Sequence, residues 1–460
     1  MMEIAVIGAG PVGLMLAAEL RLGGAKVVVL DRRTEPDRRP RANGLGGRIV
    51  EQLDHRGLLD RFRAEATFAG PVPGFPFGPV PLHFSGPDAP LRALMLQQPR
   101  MEALLEERAT ELGAEIRRGH ELVDLGTVRG PDGEYRIEPR YIAGCDGAHS
   151  RVRELAGIGF PGTTGDELMR LGHFRADVDL FATVAGLERG WNRRPGGRVL
   201  VTSLTPGVVI AGVREVTPEP PGEPTLAEFR DAVRRVLGTD LPLGEPLWLS
   251  RTASSARLAV RYRAGHVLLA GDAAHLFPAG GSSLNVGLLD AVNLGWKLAA
   301  VVRGTAGEAL LDSYHAERHP VAARTLTQTR VQALLDRLTG EDGDALRTLF
   351  GELAAFPEAT RHLAGLLRDA DELPYVPDLP LTVGGEPIRV AEVMRAARTV
   401  LFDFADRADL REAAGPDVKI VTAACPDAPA DALLVRPDGV VTFRGGDPAA
   451  LREAMTAPGR

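Results

Sequence analysis

Ile4-Ala5-Val6-Ile7-Gly8-Ala9-Gly10-Pro11-Val12-Gly13 opens the chain, and Lys26-Val27-Val28-Val29-Leu30-Asp31 closes the unit that it begins. Ile4 to Ile7 is a short apolar run, suited to a parallel strand buried on both faces. Leu14 to Leu22 reads as a helix, and the second apolar run ends on Asp31, 18 residues after Gly13. Strand, glycine turn, helix, strand and acid make the G-x-G-x-x-G fingerprint of a βαβ dinucleotide-binding unit. Gly8 permits the tight turn, Gly10 lets the backbone approach a pyrophosphate, and Gly13 lets the helix pack closely on the strand. Pro11 and Val12 complete the turn and count with it as cofactor-binding positions. The start of the helix presents free N–H groups and the positive end of its dipole to phosphates, and Asp31 can accept hydrogen bonds from a ribose diol. A glycine turn kept only for packing would share the spacing, but not the flanking strands and the acid. The fingerprint alone does not choose between NAD and FAD.

The 460 residues suffice for two or three domains with sizeable cores. With 44% apolar and 25% charged residues the composition is that of a soluble globular protein. A net charge of −7 argues against nucleic acid as a main partner. Cys145 and Cys425 have no metal-ligand spacing, so no metal site is expected and a reduced, cytoplasmic setting is the simple reading. The apolar N-terminus lacks a basic region and a cleavage site, which reads as a strand and not a signal peptide. No apolar run reaches 18 residues, so no membrane span is expected.

Beyond Asp31 comes an arginine-rich loop, Arg32 to Arg48, that suits anionic ligands such as a pyrophosphate or the phosphates of NADPH. Arg32 counts as a cofactor-binding candidate beside Asp31. Arg38 and Arg39 suit a solvated loop; Arg41 and Arg48, flanking the turn into a helix from Ile49 to Leu59, are better ligand candidates. Residues 69–96 carry short strand pieces, and Gln98 to Leu112 returns to helix. Tyr141 to Gly144 is a strand that runs into Cys145-Asp146-Gly147-Ala148-His149-Ser150-Arg151-Val152-Arg153, which places Asp146 at a strand's carboxyl end, where ligands of α/β sheets bind. Residues 160–250 read as a mostly antiparallel sheet with a helix from Thr225 to Leu237.

The second strong stretch is Val267 to Asn285, a buried strand ending on Gly271-Asp272 and a Pro/Gly loop through Pro278, Gly280, Gly281, Ser282 and Ser283. A long helix follows from Val286 to Val302, with Ser282 and Ser283 as N-cap candidates and a helix start suited to negative charge. Helical pattern continues from about Glu308 to Leu338 with a break expected near Pro320. Asp371 to Pro380 reads as a linker, and strands alternating with helices beyond it make a third, small α/β unit.

Three motifs now stand in order: GAGPVG, GCDGAHSRVR and AGDAAHLFPAGG. Together they resemble the class A flavoprotein monooxygenases of the para-hydroxybenzoate hydroxylase fold, and look closest to actinobacterial aromatic-polyketide hydroxylases and rifampicin-monooxygenase-like enzymes. The resemblance covers nearly the whole chain. It implies an α/β architecture: a discontinuous Rossmann-type FAD-binding domain over 1–70, 97–160 and 251–340, interleaved with a β-rich substrate domain over 71–96 and 161–250. It further implies a helical linker over 341–380 and a thioredoxin-like domain over 381–460 that lacks a CxxC pair. Gly8, Gly10, Gly13 and Asp31 would hold the ADP half of FAD, with Arg41 and Gln98 touching the cofactor. Asp146 would support the FAD site and NADPH use, Asp272 would bind the ribityl chain, and Pro278 and the backbone N–H groups of Leu284 and Asn285 would face the flavin ring, with Gly271, Gly281 and Ser283 as further cofactor-binding candidates.

The implied reaction is NAD(P)H reduction of FAD, formation of a flavin C4a-hydroperoxide from O₂, and oxygen transfer to a polycyclic, phenol-like aromatic polyketide. The cofactor carries the hard step, so no catalytic acid or base is assigned, and His275 reads as a loop-ordering residue. The flavin loop, Pro278 and Gly280 to Ser283, is the only catalytic candidate. Where the family reads P-x-G-G-Q-G-[LM]-N, this chain has Ser282-Ser283 for Gln-Gly, which adds a Cβ and a hydroxyl beside the flavin. Altered chemistry on the same fold (epoxidation, Baeyer–Villiger insertion, antibiotic inactivation, little net redox) and a non-catalytic nucleotide-binding protein are the alternatives. A monomer or homodimer is expected. Val199, Val201, Val209, Ala211 and Phe277 are candidate pocket positions, ordinary core packing being preferred for the four sheet residues.

Overall fold

The first strand, Ile4–Ile7, lies inside a six-stranded sheet, and its burial on both faces explains its unbroken apolar sequence. The computed structural model describes residues 3–84, 91–175, 179–205, 207–278, 283–416 and 418–456. The sheet order is Arg263–Ala264, Val267–Leu269, Tyr141–Gly144, Ile4–Ile7, Val27–Asp31, Glu115–Arg118. All neighbours are parallel except the Arg263–Ala264 edge. The register aligns Ile7 with Gly144 and with Leu30, and Gly144 with Leu269. The three sequence motifs, far apart in the chain, therefore leave one sheet from the same edge.

Helices Pro11–Leu22 and Ser283–Val302 pack together beside this sheet. Leu288, Leu289, Val292, Leu294, Leu298 and Val301 are all buried, as their spacing predicted. The helix expected to break near Pro320 instead runs unbroken over Ala309–Arg337. Proline removes one donor, but Arg318, Val321, Ala322 and Thr325 around it are buried, and that packing holds the helix together. Among the described residues, no helix is long and apolar enough to cross a membrane.

A second six-stranded sheet has the order Gly190–Arg194, Gly197–Thr205, Val208–Val216, Gly162–Arg175, Pro246–Leu258, His275–Leu276, with antiparallel neighbours throughout. One face is covered by helix Leu226–Leu237, started by Thr225, whose hydroxyl accepts from the Glu228 amide at 3.1 Å. Val199, Val201, Val209 and Ala211 belong to this face and form a core with Phe229, Val233 and Val236. They are packing residues, and the opposite face carries the other half of each strand's alternation.

The last unit has the strand order Lys419–Thr422, Val400–Asp403, Ala432–Val435, Val441–Gly445, the first pair parallel and the others antiparallel. Residues 371–380 are tied to it: the Val376 amide donates to the Gly439 carbonyl at 2.9 Å and the Val441 amide to the Pro374 carbonyl at 2.7 Å. Its hairpin, Arg436-Pro437-Asp438-Gly439, is inserted against the first unit. Arg436 pairs with Glu317 at 2.8 Å and with Asp438 at 2.5 Å, and Lys297 reaches Glu317 at 2.9 Å. Asn293 donates to both Glu317 (2.7 Å) and Asp438 (3.1 Å), and Gln52 donates to the Asp438 carbonyl at 2.8 Å.

Removing one member of a buried charge network leaves the others uncompensated, at a cost of about 3–5 kcal/mol. Arg436→Ala is accordingly expected to lower the unfolding free energy by an amount of that order, read as a lower denaturation midpoint. An unchanged midpoint would show that the hairpin's charges do not hold the units together. His55 lies under the same hairpin, and burial, with the neighbouring Arg56 charge, lowers its imidazole to about 3. In the unfolded chain it titrates near pH ~6.5. The unfolded state therefore binds the extra proton first, so stability is intact above pH ~6.5 and falls as the pH drops towards 3. Denaturation midpoints measured from neutral to acid pH should fall less steeply in His55→Leu; identical acid slopes would contradict the assignment.

Candidate functional site

The glycine turn is shaped by close backbone approach. Gly8 has φ +107°, and a Cβ there would lie 2.4 Å from the Cys145 carbonyl oxygen; one on Gly13 would lie 1.9 Å from the Gly8 oxygen. A Cβ on Gly10 would meet nothing within 4 Å, so open space lies over the turn. Helix Pro11–Leu22 starts at Gly10 with no side-chain cap. Its first N–H groups and its dipole are available to an anion there. Asp31 is buried and accepts from the Ala9 amide at 2.7 Å and the Arg33 amide at 2.8 Å, which fixes the turn to the end of the second strand.

Asp146 lies at the next strand end. It accepts from the Ser150 hydroxyl at 2.5 Å and the Val152 amide at 3.0 Å, organising the start of helix Arg151–Leu155. Burial raises its carboxyl, and these donors work against that rise. Arg153, from the same motif, donates to the Ala273 carbonyl at 3.0 Å and the Ala148 carbonyl at 3.1 Å, with its guanidinium 3.9 Å over the Phe160 ring. It thus ties the Asp146 turn to the Gly271-Asp272 turn. Val12 packs against Gly271, where a Cβ would lie 3.0 Å from its methyl.

A buried carboxylate, Asp290, holds the third turn. It accepts from the Gly271 amide at 3.2 Å, contacts His275 Nε2 at 2.7 Å, and accepts from Arg318 Nε at 2.8 Å. Burial alone would raise this carboxyl; His275 and Arg318 outweigh it and hold it below its ordinary value. Arg318 reaches on to Asp371 at 3.2 Å, which also accepts from the Tyr375 hydroxyl at 3.0 Å. His275 is fully buried and stacks on Phe277 with centroids 4.8 Å apart, the geometry of a residue that orders the loop. Asp290, Arg318, Asp371 and Tyr375 are not among the site residues expected from the sequence. The available signal was an acid on the apolar face of the helix carrying Leu289 and Val292.

At the far end of the cradle, Ser283 begins helix Ser283–Val302 and donates to Asp272 Oδ1 at 2.5 Å. Asn285 accepts from the Gly46 amide at 3.3 Å, and Ser254 donates to the Pro278 carbonyl at 3.4 Å. Leu284 lies in the same first helical turn. Gly280, Gly281 and Ser282 lie outside the described residues. Gln98 joins the loop through its amide on the Ala42 carbonyl (2.9 Å), while its side chain donates to Glu102 at 2.8 Å.

The arginine loop divides by role. Arg32 is exposed. Arg33, Arg39 and Arg41 converge on Asp37 at 3.1, 2.8 and 3.3 Å. Burial would raise that carboxyl, but Arg39 and Arg41 outweigh it and bring it down to about 2, so cationic charge remains in excess. Arg48, expected as an anion ligand, is instead buried against Glu51 (2.6 Å) and Asp369 (2.9 Å), 4.0 Å over the Tyr375 ring. Its charge is already compensated.

A family described as FAD binding domain matches residues 1–329, and one described as aromatic-ring hydroxylase, C-terminal, matches residues 374–458. The chain is 40% identical to 12-dehydrotetracycline 5-monooxygenase/anhydrotetracycline 6-monooxygenase of Streptomyces rimosus, over 96% of this chain and 95% of that protein. It is 41% identical to rifampicin monooxygenase of Streptomyces venezuelae, over 99% and 98%. The solved structure of OxyS anhydrotetracycline hydroxylase from Streptomyces rimosus is similar with a TM-score of 0.88 at 40% identity, covering 100% and 99% of the two chains.

The Ser283–Asp272 bond makes a specific expectation. If the FAD polyol takes the Asp272 carboxylate, it competes with a hydrogen bond to a charged group, worth about 1.5–3 kcal/mol. Ser283→Gly should then bind FAD about tenfold tighter in a fluorescence titration of the apoprotein. Equal affinity of the two proteins would contradict the competition.

Proposed function

Because the chain belongs to the FAD-binding aromatic-ring hydroxylases and is an FAD-dependent monooxygenase, we propose that it oxygenates a polycyclic aromatic, polyketide-type small molecule with O₂ and NAD(P)H. The observation that carries this reading is the convergence of three turns, after Ile7, Gly144 and Leu269, on one sheet edge beside an uncapped helix start. Gly8, Gly10, Pro11, Val12, Gly13 and Asp31 would hold the adenosine and pyrophosphate end of FAD. Asp146, Gly271 and Asp272 would follow the ribityl chain. Pro278, Ser283, Leu284 and Asn285 would meet the ring, where the start of helix Ser283–Val302 favours negative charge. Bound FAD supplies the activation of oxygen, and the chain's own part is to orient the aromatic ring and keep water away. The names of the tetracycline and rifampicin relatives support a polycyclic substrate.

The excess of guanidinium over carboxylate around Asp37 suits the phosphates of NADPH, with Arg32 and Arg41 at its exposed rim. The strand order of the C-terminal unit supports a thioredoxin-like reading, in which Cys425 stands without a redox partner. Two free cysteines suit a reducing, cytoplasmic setting.

The test is NADPH oxidation by the FAD-loaded protein with a panel of polycyclic phenols. The reading predicts oxidation that the correct phenol stimulates and that requires O₂, with one oxygen atom from ¹⁸O₂ appearing in the product. Turnover of the phenol without O₂ or NADPH would contradict it.

A further inference from the structure

The β-sheet of the second unit has a face that helix Leu226–Leu237 does not cover. Arg170 and Phe174 point to the helix, through Glu228 at 2.6 Å and Phe229 with ring centroids 4.8 Å apart. His173, between them in the alternation, lies on the other face. The strand register places Thr202, Ile210, His173 and Trp248 in one row across four neighbouring strands. The same face of strand Pro246–Leu258 continues through Ser250 and Thr252 to Ser254, which bonds the Pro278 carbonyl at 3.4 Å. The row thus shares its sheet face with Ser254, beside Pro278.

Two polar atoms in this row stand out. His173 is only 4% exposed, and among the described residues its buried Nε2 has no hydrogen-bond partner. The Nε1 of Trp248 is also buried without one. The two rings meet edge to face with centroids 5.5 Å apart. A buried polar group left unpaired is unfavourable, and two adjacent ones on the sheet face shared with Ser254 and Pro278 point to a ligand. Among the described residues no charge acts on His173; burial lowers its imidazole, so the ring is neutral and able to accept a proton donor's hydrogen bond. Trp248 can only donate.

We propose that His173 and Trp248 are a specificity-determining pair that recognises a hydroxyl–carbonyl oxygen pair on a polyketide ring, the hydroxyl donating to His173 Nε2 and the carbonyl accepting from Trp248 Nε1. Ile210, buried beside them, supplies the apolar surface for the flat ring. This rests on the monooxygenase reading above and adds which substrate group is read and by which side chains. A site built to pair a substrate oxygen discriminates strongly against an analogue that lacks it, because its own polar atoms are then left unpaired.

The probes are 1-hydroxyanthraquinone, with its adjacent hydroxyl and carbonyl, and unsubstituted anthraquinone, titrated into the FAD-loaded protein and followed by the flavin spectrum. Wild type should bind the hydroxylated probe at least about tenfold tighter. His173→Phe and Trp248→Phe should each cut that preference about tenfold while retaining full FAD content, and His173→Gln, which keeps an acceptor, should restore part of it. A flavoprotein whose wild-type form does not distinguish the probes, or whose preference survives both phenylalanine substitutions, overturns the proposal alone. A chain that takes up no FAD contradicts the functional reading and the proposal with it.

Discussion

The buried carboxylate of Asp290 is the interaction on which the site's geometry depends. It sits on the helix that begins at Ser283, yet it accepts from the Gly271 amide, from His275 and from Arg318 at once. The Gly271-Asp272 turn, the start of its loop and the long helix Ala309–Arg337 are thus fixed to one atom group. Burial of a carboxylate is unfavourable by itself, and here cations and donors on three sides compensate it. Such a network has one good arrangement and few near alternatives. That uniqueness suits a turn that must present Asp272 and the helix start in a fixed relation.

The same logic extends to the C-terminal unit. Arg318 passes the connection to Asp371 and Tyr375, and Tyr375 carries Arg48 on its ring. A second network, through Lys297, Glu317, Arg436 and Asp438, joins the hairpin to the helix that begins at Ser283. Burial lowers Lys297 to about 8, against the pull of Glu317, which reflects how dry that junction is. The last unit thus braces helix Ser283–Val302 through Asn293 and Lys297.

Much of this was legible in the sequence, and the exceptions share a cause. Ile4 to Asp31 revealed its strand, turn and helix because each step has a local steric reason. Leu288 to Val301 revealed a buried helix face by period alone. The strand end at Asp146 was equally plain. Arg48 misled because an arginine in a basic loop reads as free charge, whereas its partner Asp369 is distant in the chain and close in space. Pro320 misled because packing on both sides outweighs the lost hydrogen bond. In the antiparallel sheet, alternation separates Val199 and Val201 from Arg198 and Leu200, but nothing local says which set meets the helix. His173 and Trp248 become visible only once register brings their strands together.

On this reading three segments distant in sequence would form one FAD cradle. Hydrogen–deuterium exchange of the apoprotein with and without FAD tests it most directly, because it reports each backbone segment separately. FAD should protect amides at residues 8–13, 146–153 and 271–285 together, with the same dependence on FAD concentration. Protection confined to residues 8–31, with the amides near Gly271 and Leu284 unchanged, would contradict it.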